Sequence, residues 1–359
     1  MAGARVCTAA GKIVASAIIW RYDFRMELRQ FKYFVAIVDS GSVSQAARTL
    51  FIAQSALSKQ ISDLESELDA QLLERTSSGV RVTETGKIFY EYSLAIIKQI
   101  DDVRAAVKSS ENHIVGNVVI AIPQSASNAL ALPLSIASRQ ALSGINLHLN
   151  EELAGNLIDL LQQGRADMAI LTDNVALAGM RQRKIVKEEL FLISAADYPL
   201  APASFEDGAI ALGAVLELDL VMSGKKHCQF LRAILEAAAL AQQLPLQHVV
   251  AEINSVHILK NAVLAGIGCT IFPKAIIASE LAQGRLLAHR IGPSGLFRTL
   301  VLCASKSIPM TNPKRAVGHL VIQVIDDLCR SGLWPGAVAL AGPGGNALFD
   351  EDGEPFQPD

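Results

Sequence analysis

Gln54, Ser55, Ser58 and Lys59 stand at spacings that place them together on one side of a helix. An amide, two hydroxyls and an ammonium at the front of a helix are the groups that hydrogen-bond base edges and pair with phosphates. Leu57, Ile61, Leu64 and Leu68 recur on the other side at helical spacing and face a core. Upstream, Ser42 followed by Gln45 has the form of a capping box. Ala46, Ala47 and Leu50 make a short apolar stripe, and Phe51-Ile52-Ala53 forms a tight turn. The stretch 42–64 therefore predicts two short helices joined by a turn, the second with a polar outer face. A helical hairpin with a merely solvated face satisfies the same pattern, because such units carry no catalytic signature.

Catalytic chemistry has no comparable candidate. The seven histidines are scattered, and no Ser-His-Asp arrangement, carboxylate pair or metal-ligand spacing is present. The chain reads as a non-enzyme that needs no cofactor. Its five cysteines, Cys7, Cys228, Cys269, Cys303 and Cys329, are odd in number and lack CxxC spacing. They read as reduced thiols of a cytoplasmic protein. At 359 residues and 51% hydrophobic content the chain builds two or three domains with sizeable cores. No apolar run approaches the roughly 18 residues of a spanning helix, so no membrane is expected as a partner.

Residues 26–86 resemble the N-terminal domain of LysR-type transcriptional regulators. FVAIVDSGSVSQAA, AQSALSKQISDLE, LLERT and VRVTETG occur in the family's order and spacing. Within the family the nearest resemblance is to the nitrogen assimilation control regulators. The resemblance implies a winged helix–turn–helix with its wing at 77–82. It also implies double-stranded DNA as partner, contacts at Gln54, Ser55, Ser58 and Lys59, and Arg75 on phosphate. Ser55 replaces a common Pro, Ala53 a common Ser, Lys59 a commoner Arg and Asp69 a usual Gly. A lysine is a point charge and not a bidentate fork, which favours phosphate over base at position 59. Asp tolerates the left-handed backbone that the turn at 69 requires. Charge alone does not make the case: over 26–86 eight acids outnumber six bases, and the whole chain carries −3. Arg48, Lys59, Arg75 and Arg81 are the candidates for a local basic face. A domain so weakly basic needs dimers or tetramers to sum its phosphate contacts.

Thr83 is placed to cap a helix running to about Asn112, with Phe89, Tyr92, Ile96, Ile100, Val103 and Val107 as a narrow apolar seam. The seam either packs on its own domain or pairs two chains. The resemblance implies the second, with a dimer of dimers as the usual assembly and RNA polymerase as a further partner of an activator.

From Gly116 strands alternate with helices, which argues for a parallel α/β sheet. This region resembles the LysR effector domain, a two-lobed periplasmic-binding-protein-like architecture. The expected fold class is thus α/β multidomain. A winged helix–turn–helix spans 26–84 and a linker helix 85–112. The effector domain spans 113–330, with lobe one at 113–186 and 292–330 and lobe two at 187–291. Residues 1–25 read as a non-native start or a disordered extension. Residues 331–359, rich in Gly and Pro and acidic at the end, read as a disordered tail.

Ligands of such folds lie where strand ends and helix N-termini converge. Gln124, Ser125 and Ser127 follow one strand, and Met222, Ser223, Gly224, Lys225 and His227 follow another. Asn254 and Ser255 precede a helix, and Thr172 ends a further strand. Hydroxyls, helix N-termini and Lys225 favour a carboxylate or similar anion in a small-molecule effector. Capping is the alternative job of each Ser and Asn. The second functional reading is a cytoplasmic ligand-binding module whose helical N-terminus only oligomerises.

Overall fold

The computed structural model describes residues 26–76, 79–108, 114–173, 177–224, 229–245, 248–342 and 348–349. They form two units that divide between Ile97 and Lys98.

The first unit contains α1 (Leu28–Ser40), α2 (Val43–Thr49), α3 (Gln54–Leu68), the strands β1 (Leu73–Thr76) and β2 (Gly79–Val82), and the first turns of α4 (Glu84–Lys108). Phe34, Ile37, Ala46, Ala47, Leu57, Ile61, Leu64 and Leu72 bury one shared core, as the helical spacing predicts. Each helix end has a chemical cause. Glu27 and Gln30 form a reciprocal capping box on α1. Ser42 Oγ accepts from the Gln45 N–H at 3.4 Å on α2. Asp69 takes φ +47° and ends α3 in the expected left-handed conformation. Glu65 ties the end of α3 to the hairpin: one of its oxygens accepts from the N–H groups of Leu72 and Leu73 at 2.8 and 3.0 Å.

The two strands pair antiparallel, Leu73 with Val82 through Thr76 with Gly79. The hairpin docks on the α1–α2 turn through Val80 N–H to Gly41 O at 3.0 Å. A Cβ on Gly79 would stand 2.6 Å from that same carbonyl, so only glycine permits the approach. Thr83 starts α4 as expected, its Oγ accepting from Gly86 N–H at 2.9 Å. The seam differs from expectation at one position. Phe89 turns inward, stacked on Phe31 and edge-on to Phe34 at 5.3 and 5.1 Å. The exposed apolar residues of α4 are Ile88, Tyr92, Val103 and Val107. The shift follows from Phe34, whose buried ring offers Phe89 an aromatic partner inside the domain.

The second unit begins with the last turns of α4. It continues with β3 (Gly116–Pro123), α5 (Gln124–Ala141), β4 (Ile145–Glu152), α6 (Ala154–Gln162), β5 (Met168–Thr172) and the long β6 (Met180–Ala195). Then come β7 (Phe205–Glu206), β8 (Ala209–Ile210), α7 (Leu212–Glu217), β9 (Leu220–Met222), α8 (Gln229–Ala241), β10 (Val249–Glu252) and α9 (Val256–Leu264). The chain closes with β11 (Thr270–Pro273), α10 (Ala278–Ala282), β12 (Leu286–Ile291), β13 (Leu296–Ser305), α11 (Asn312–Arg330) and β14 (Ala337–Ala339).

β4, β3 and β5 are parallel neighbours, and β13 joins them antiparallel to β5. β9 and β10 pair in parallel. β11 and β12 flank the far half of β6. The two lobes are therefore joined by β6 and β13, which pair from Met180 with Ser305 to Leu190 with Leu296. Each lobe has apolar cores on both faces of its strands.

The expected disordered tail is not what the structure shows for 331–342. β14 pairs antiparallel with β6 at Val186–Glu188, Trp334 is 1% exposed, and Leu348 and Phe349 join the lobe-one core. Composition misled because a few large side chains carry the anchoring. Trp334, Leu348 and Phe349 bury enough apolar area to order a segment otherwise made of small residues. Residues 343–347 and 350–359, like 1–25, lie outside the described residues.

One polar cluster fixes the end of α4 to lobe one. Lys314 Nζ lies 2.7 Å from Asp102 and 2.8 Å from Asp167, and Lys98 Nζ lies 3.1 and 2.5 Å from the same two carboxylates. Asp167 also accepts from Val119 N–H at 2.8 Å. Lys314 is 1% exposed. Burial alone would lower its pKa, but the two carboxylates outweigh it and hold the ammonium above its ordinary range. Lys314→Met leaves two buried carboxylates to one lysine, and should cost about 3–5 kcal/mol in urea unfolding. A loss below 1 kcal/mol would show that the cluster is not the fastening described.

Two histidines set an acid limit. His289, bonded to Ser194 Oγ at 3.0 Å, is pushed below its ordinary value of 6.5 by burial. His319 is lowered by burial, with Arg183 and Arg315 adding to it. The unfolded chain takes up these protons first, so the stability they contribute is full above about pH 6.5 and lost as pH falls. Thermal midpoints between about pH 8 and pH 5 should be flat and then fall, and His289→Gln with His319→Gln should flatten the fall.

Candidate functional site

The first site is the outer face of α3. Gln54, Ser55 and Lys59 are exposed and Ser58 half-buried, opposite the buried Leu57, Ile61 and Leu64. Gln54 Oε1 accepts from Ser44 Oγ at 3.0 Å, which orients the amide and ties the N-terminal end of α3 to α2. Arg75 stands in β1 opposite Val80. Arg81, expected on a basic face, is held by Glu74 across the hairpin at 3.0 and 2.5 Å and adds no net charge there. Phe51, expected in the turn, stands there 95% exposed at φ +55°, just before α3.

The second site is the cleft between the lobes of the second unit. Lobe one contributes Pro123, Gln124, Ser125, Glu152 and Leu153. Lobe two contributes Met222, Ser223, Leu231, Ile253, Asn254, Val256, Leu259, Thr270, Ile271 and Phe272. Strands β3, β9 and β10 end here, and α5 and α9 begin here, so helix N-termini from both lobes open onto one space. Gln124 of lobe one reaches across: its Oε1 accepts from Val256 N–H, the first amide of α9, at 3.3 Å. Asn254 Oδ1 accepts from Gly224 N–H at 3.0 Å and shapes the lobe-two lip. The walls are mostly apolar with a few amides and hydroxyls, which suits a small ligand held by a handful of directed hydrogen bonds.

Of the residues expected here, Gln124, Ser125, Met222, Ser223 and Asn254 meet on the cleft wall. Ser127 does not. It is buried in α5, donating to Gln124 O at 3.1 Å and bonded to Glu151. Ser255 caps α9 through Ile258 N–H at 3.4 Å. Gly224 contributes the backbone contact to Asn254. Thr172 is buried at the end of β5, paired with Leu300 and away from the wall. Ser127 is turned inward onto Glu151 and the backbone of α5, and Thr172, the last residue of β5, is covered by its neighbour β13. Lys225, His227 and Cys228 lie outside the described residues.

The sequence reading missed Arg298. It enters the wall from β13, almost fully buried, and is paired with Glu188 of β6, its cross-strand partner, at 2.6 Å. Its Nη1 donates to Ser125 Oγ at 2.7 Å and its Nη2 to the Ser125 carbonyl at 3.2 Å. A lone basic residue opening the apolar run 299–304, with the acids Glu188 and Glu189 in the other crossing segment, was the available signal. The described cysteines are inert by comparison: burial pushes the thiols of Cys269 and Cys303 up to about 12 and that of Cys329 to about 11. Among the described residues no cluster of three or more His, Cys, Asp or Glu is placed to hold a metal ion.

A helix–turn–helix followed by a β-hairpin, a long helix and a two-lobed α/β domain has the form of a transcriptional regulator of the helix–turn–helix class. Residues 28–87 match the family model "Bacterial regulatory helix-turn-helix protein, lysR family", and residues 111–325 match "LysR substrate binding domain". The chain belongs to the LysR family: it is a DNA-binding transcriptional regulator with an effector-binding domain, and not an enzyme. It is 33% identical over 301 residues to the nitrogen assimilation regulatory protein nac of Klebsiella aerogenes, covering 84% of this chain and 95% of that one. The nac protein of Escherichia coli is 31% identical over the same shares. In fold the chain is similar to a full-length OxyR variant from Pseudomonas aeruginosa (TM-score 0.64, 20% identity, 87% of this chain and 98% of that one). It is also similar to full-length CbnR complexed with its target DNA (TM-score 0.62, 18% identity, 84% and 99%).

Arg298→Met leaves Glu188 buried without its cation and should cost about 3–5 kcal/mol in chemical unfolding. Adding Glu188→Met should restore most of that loss. A double variant as unstable as the single one would show that the pair is valued for its shape and not its charge balance.

Proposed function

We propose that this regulator binds an interrupted dyad operator as a dimer or tetramer, with a small molecule in the cleft setting its activity. Gln54, Ser55 and Ser58 read base edges, Lys59 contacts phosphate, and Arg75 steadies the wing on the backbone. The observation that carries the DNA part is the exposed polar front of α3, with Gln54 oriented by Ser44. Assembly is supported by Ile88, Tyr92, Val103 and Val107, apolar side chains left exposed along α4. Two copies paired along that helix would present two recognition helices to half-sites one or more DNA turns apart.

The effector part is supported by the convergence of Gln124, Ser125, Ser223 and Asn254 with the starts of α5 and α9. Arg298 brings no net charge, being matched by Glu188, and Glu152 adds a carboxylate, so the wall suits a small molecule that presents an uncharged polar group. The effector shifts the balance of lobe arrangements only through unequal affinity for them. The reading places the protein in the cytoplasm beside RNA polymerase. No helix among the described residues is long and apolar enough to cross a membrane.

Mapping bound DNA across the genome and measuring affinity for the recovered operator tests this. Gln54→Ala and Ser58→Ala should each weaken specific binding by about 1–3 kcal/mol and relax discrimination between sequences. Lys59→Gln should weaken all sequences alike and lower the salt slope by about 1. Unchanged operator affinity in the folded Gln54→Ala and Ser58→Ala variants would overturn the assigned face. A metabolite screen in which nothing shifts operator binding would overturn the effector part.

A further inference from the structure

Trp334 is one of two tryptophans in the chain and belongs to the segment that follows the last helix of lobe one. Its indole is buried, and its Nε1–H donates to Glu188 Oε1 at 2.5 Å. The other oxygen of the same carboxylate takes Arg298 Nε and Nη2 at 2.6 and 2.5 Å. Arg298 in turn grips the hydroxyl and the carbonyl of Ser125 on the cleft wall. Four groups thus form an unbroken chain of charged or charge-assisted hydrogen bonds, and it runs from the C-terminal segment through both crossing strands to the first turn of α5.

We infer that residues 331–342 are a working part of the effector site, with Trp334, Glu188 and Arg298 as positioning residues that set the Ser125 hydroxyl. The inference rests on reading the cleft as the effector site. Glu188 has two oxygens and divides them between two donors. With the indole removed, the carboxylate has a spare acceptor beside a guanidinium. A side-on bidentate grip, with Nε on one oxygen and Nη2 on the other, then re-seats the guanidinium and shifts the Nη1 and Nη2 donors that hold Ser125. The segment is held where it can act. Trp334 N–H bonds Leu328 O at 3.1 Å, Gly336 O accepts from Glu189 N–H at 2.9 Å, and Leu340 N–H bonds Ile185 O at 2.9 Å. Ala337 lies opposite Glu188 in the β14–β6 ladder. Any change in the path of β6 at the crossing is therefore felt by the indole, and the indole is felt at the cleft.

The coupling is read at Trp334 with no ligand added. The full-length chain carrying Trp20→Phe, labelled with 5-fluorotryptophan, gives a single fluorine resonance from Trp334. Ser125→Ala, a change on the cleft wall two side chains away, should move that resonance by more than its linewidth, and Ser125→Thr, which keeps a hydroxyl, should leave it near the parent position. Arg298→Lys, which keeps the charge and loses the fork, should move it as well. If the Arg298 variant does not fold, the two Ser125 variants decide alone. A Ser125→Ala spectrum that overlays the parent would overturn the inference and leave the segment as packing only. A metabolite screen without hits would count against the effector reading and not against the coupling, so the two failures are told apart.

Discussion

The ladder between β6 and β13 is the constraint on which the second unit depends. Lobe one adds its parallel strands through β5 on β13, and lobe two adds β11 and β12 to the continuation of β6. Lobe one is built from two separate stretches of chain with lobe two inserted between them, so lobe one does not close its sheet without the returning strand β13. The buried Arg298–Glu188 pair lies near the lobe-two end of this ladder, two positions from Leu190 and Leu296. A desolvated pair of opposite charges on facing strands tolerates little change in register, since any slip strands both charges.

What the sequence made legible follows the same physics. The face of α3 was readable because one period governs both its sides: where Leu57, Ile61 and Leu64 must be buried, Gln54, Ser55 and Lys59 have to be outside. The cleft was readable at Gln124, Ser125 and Asn254 because residues at strand ends and helix starts of α/β folds converge there. Arg298 was not readable in that way. It lies within a strand, and its meaning comes from Glu188, far away along the chain. Phe89 was misplaced for a related reason, since a narrow stripe does not say which of two partners takes its edge. The segment after Arg330 was misjudged because average composition hides single anchors, and Trp334 is such an anchor.

Acidic residues illustrate how little a charge count says about a surface. Glu65, Glu74, Asp102, Asp167 and Glu188 are each committed to backbone amides, to an arginine or to a lysine. In the first unit Glu65 is turned onto the amides of Leu72 and Leu73 and Glu74 is matched by Arg81, so neither stands there as an unpartnered charge. This reconciles a domain of negative formal charge with a role on DNA, where what counts is the field at the contacting face.

The protein thus holds two ionic systems that answer differently to the medium. Any phosphate that the exposed polar face of α3 meets is met in water, where mobile ions compete directly and the attraction fades within a Debye length of about 8 Å at physiological salt. The Lys98, Asp102, Asp167 and Lys314 cluster is closed to those ions, and its desolvation cost falls as temperature rises. Brine or heat should therefore act on the molecule in sequence. It leaves the nucleic acid first, with the helix still fastened to its sensor, and it comes away as an assembled device able to return when the ionic strength drops.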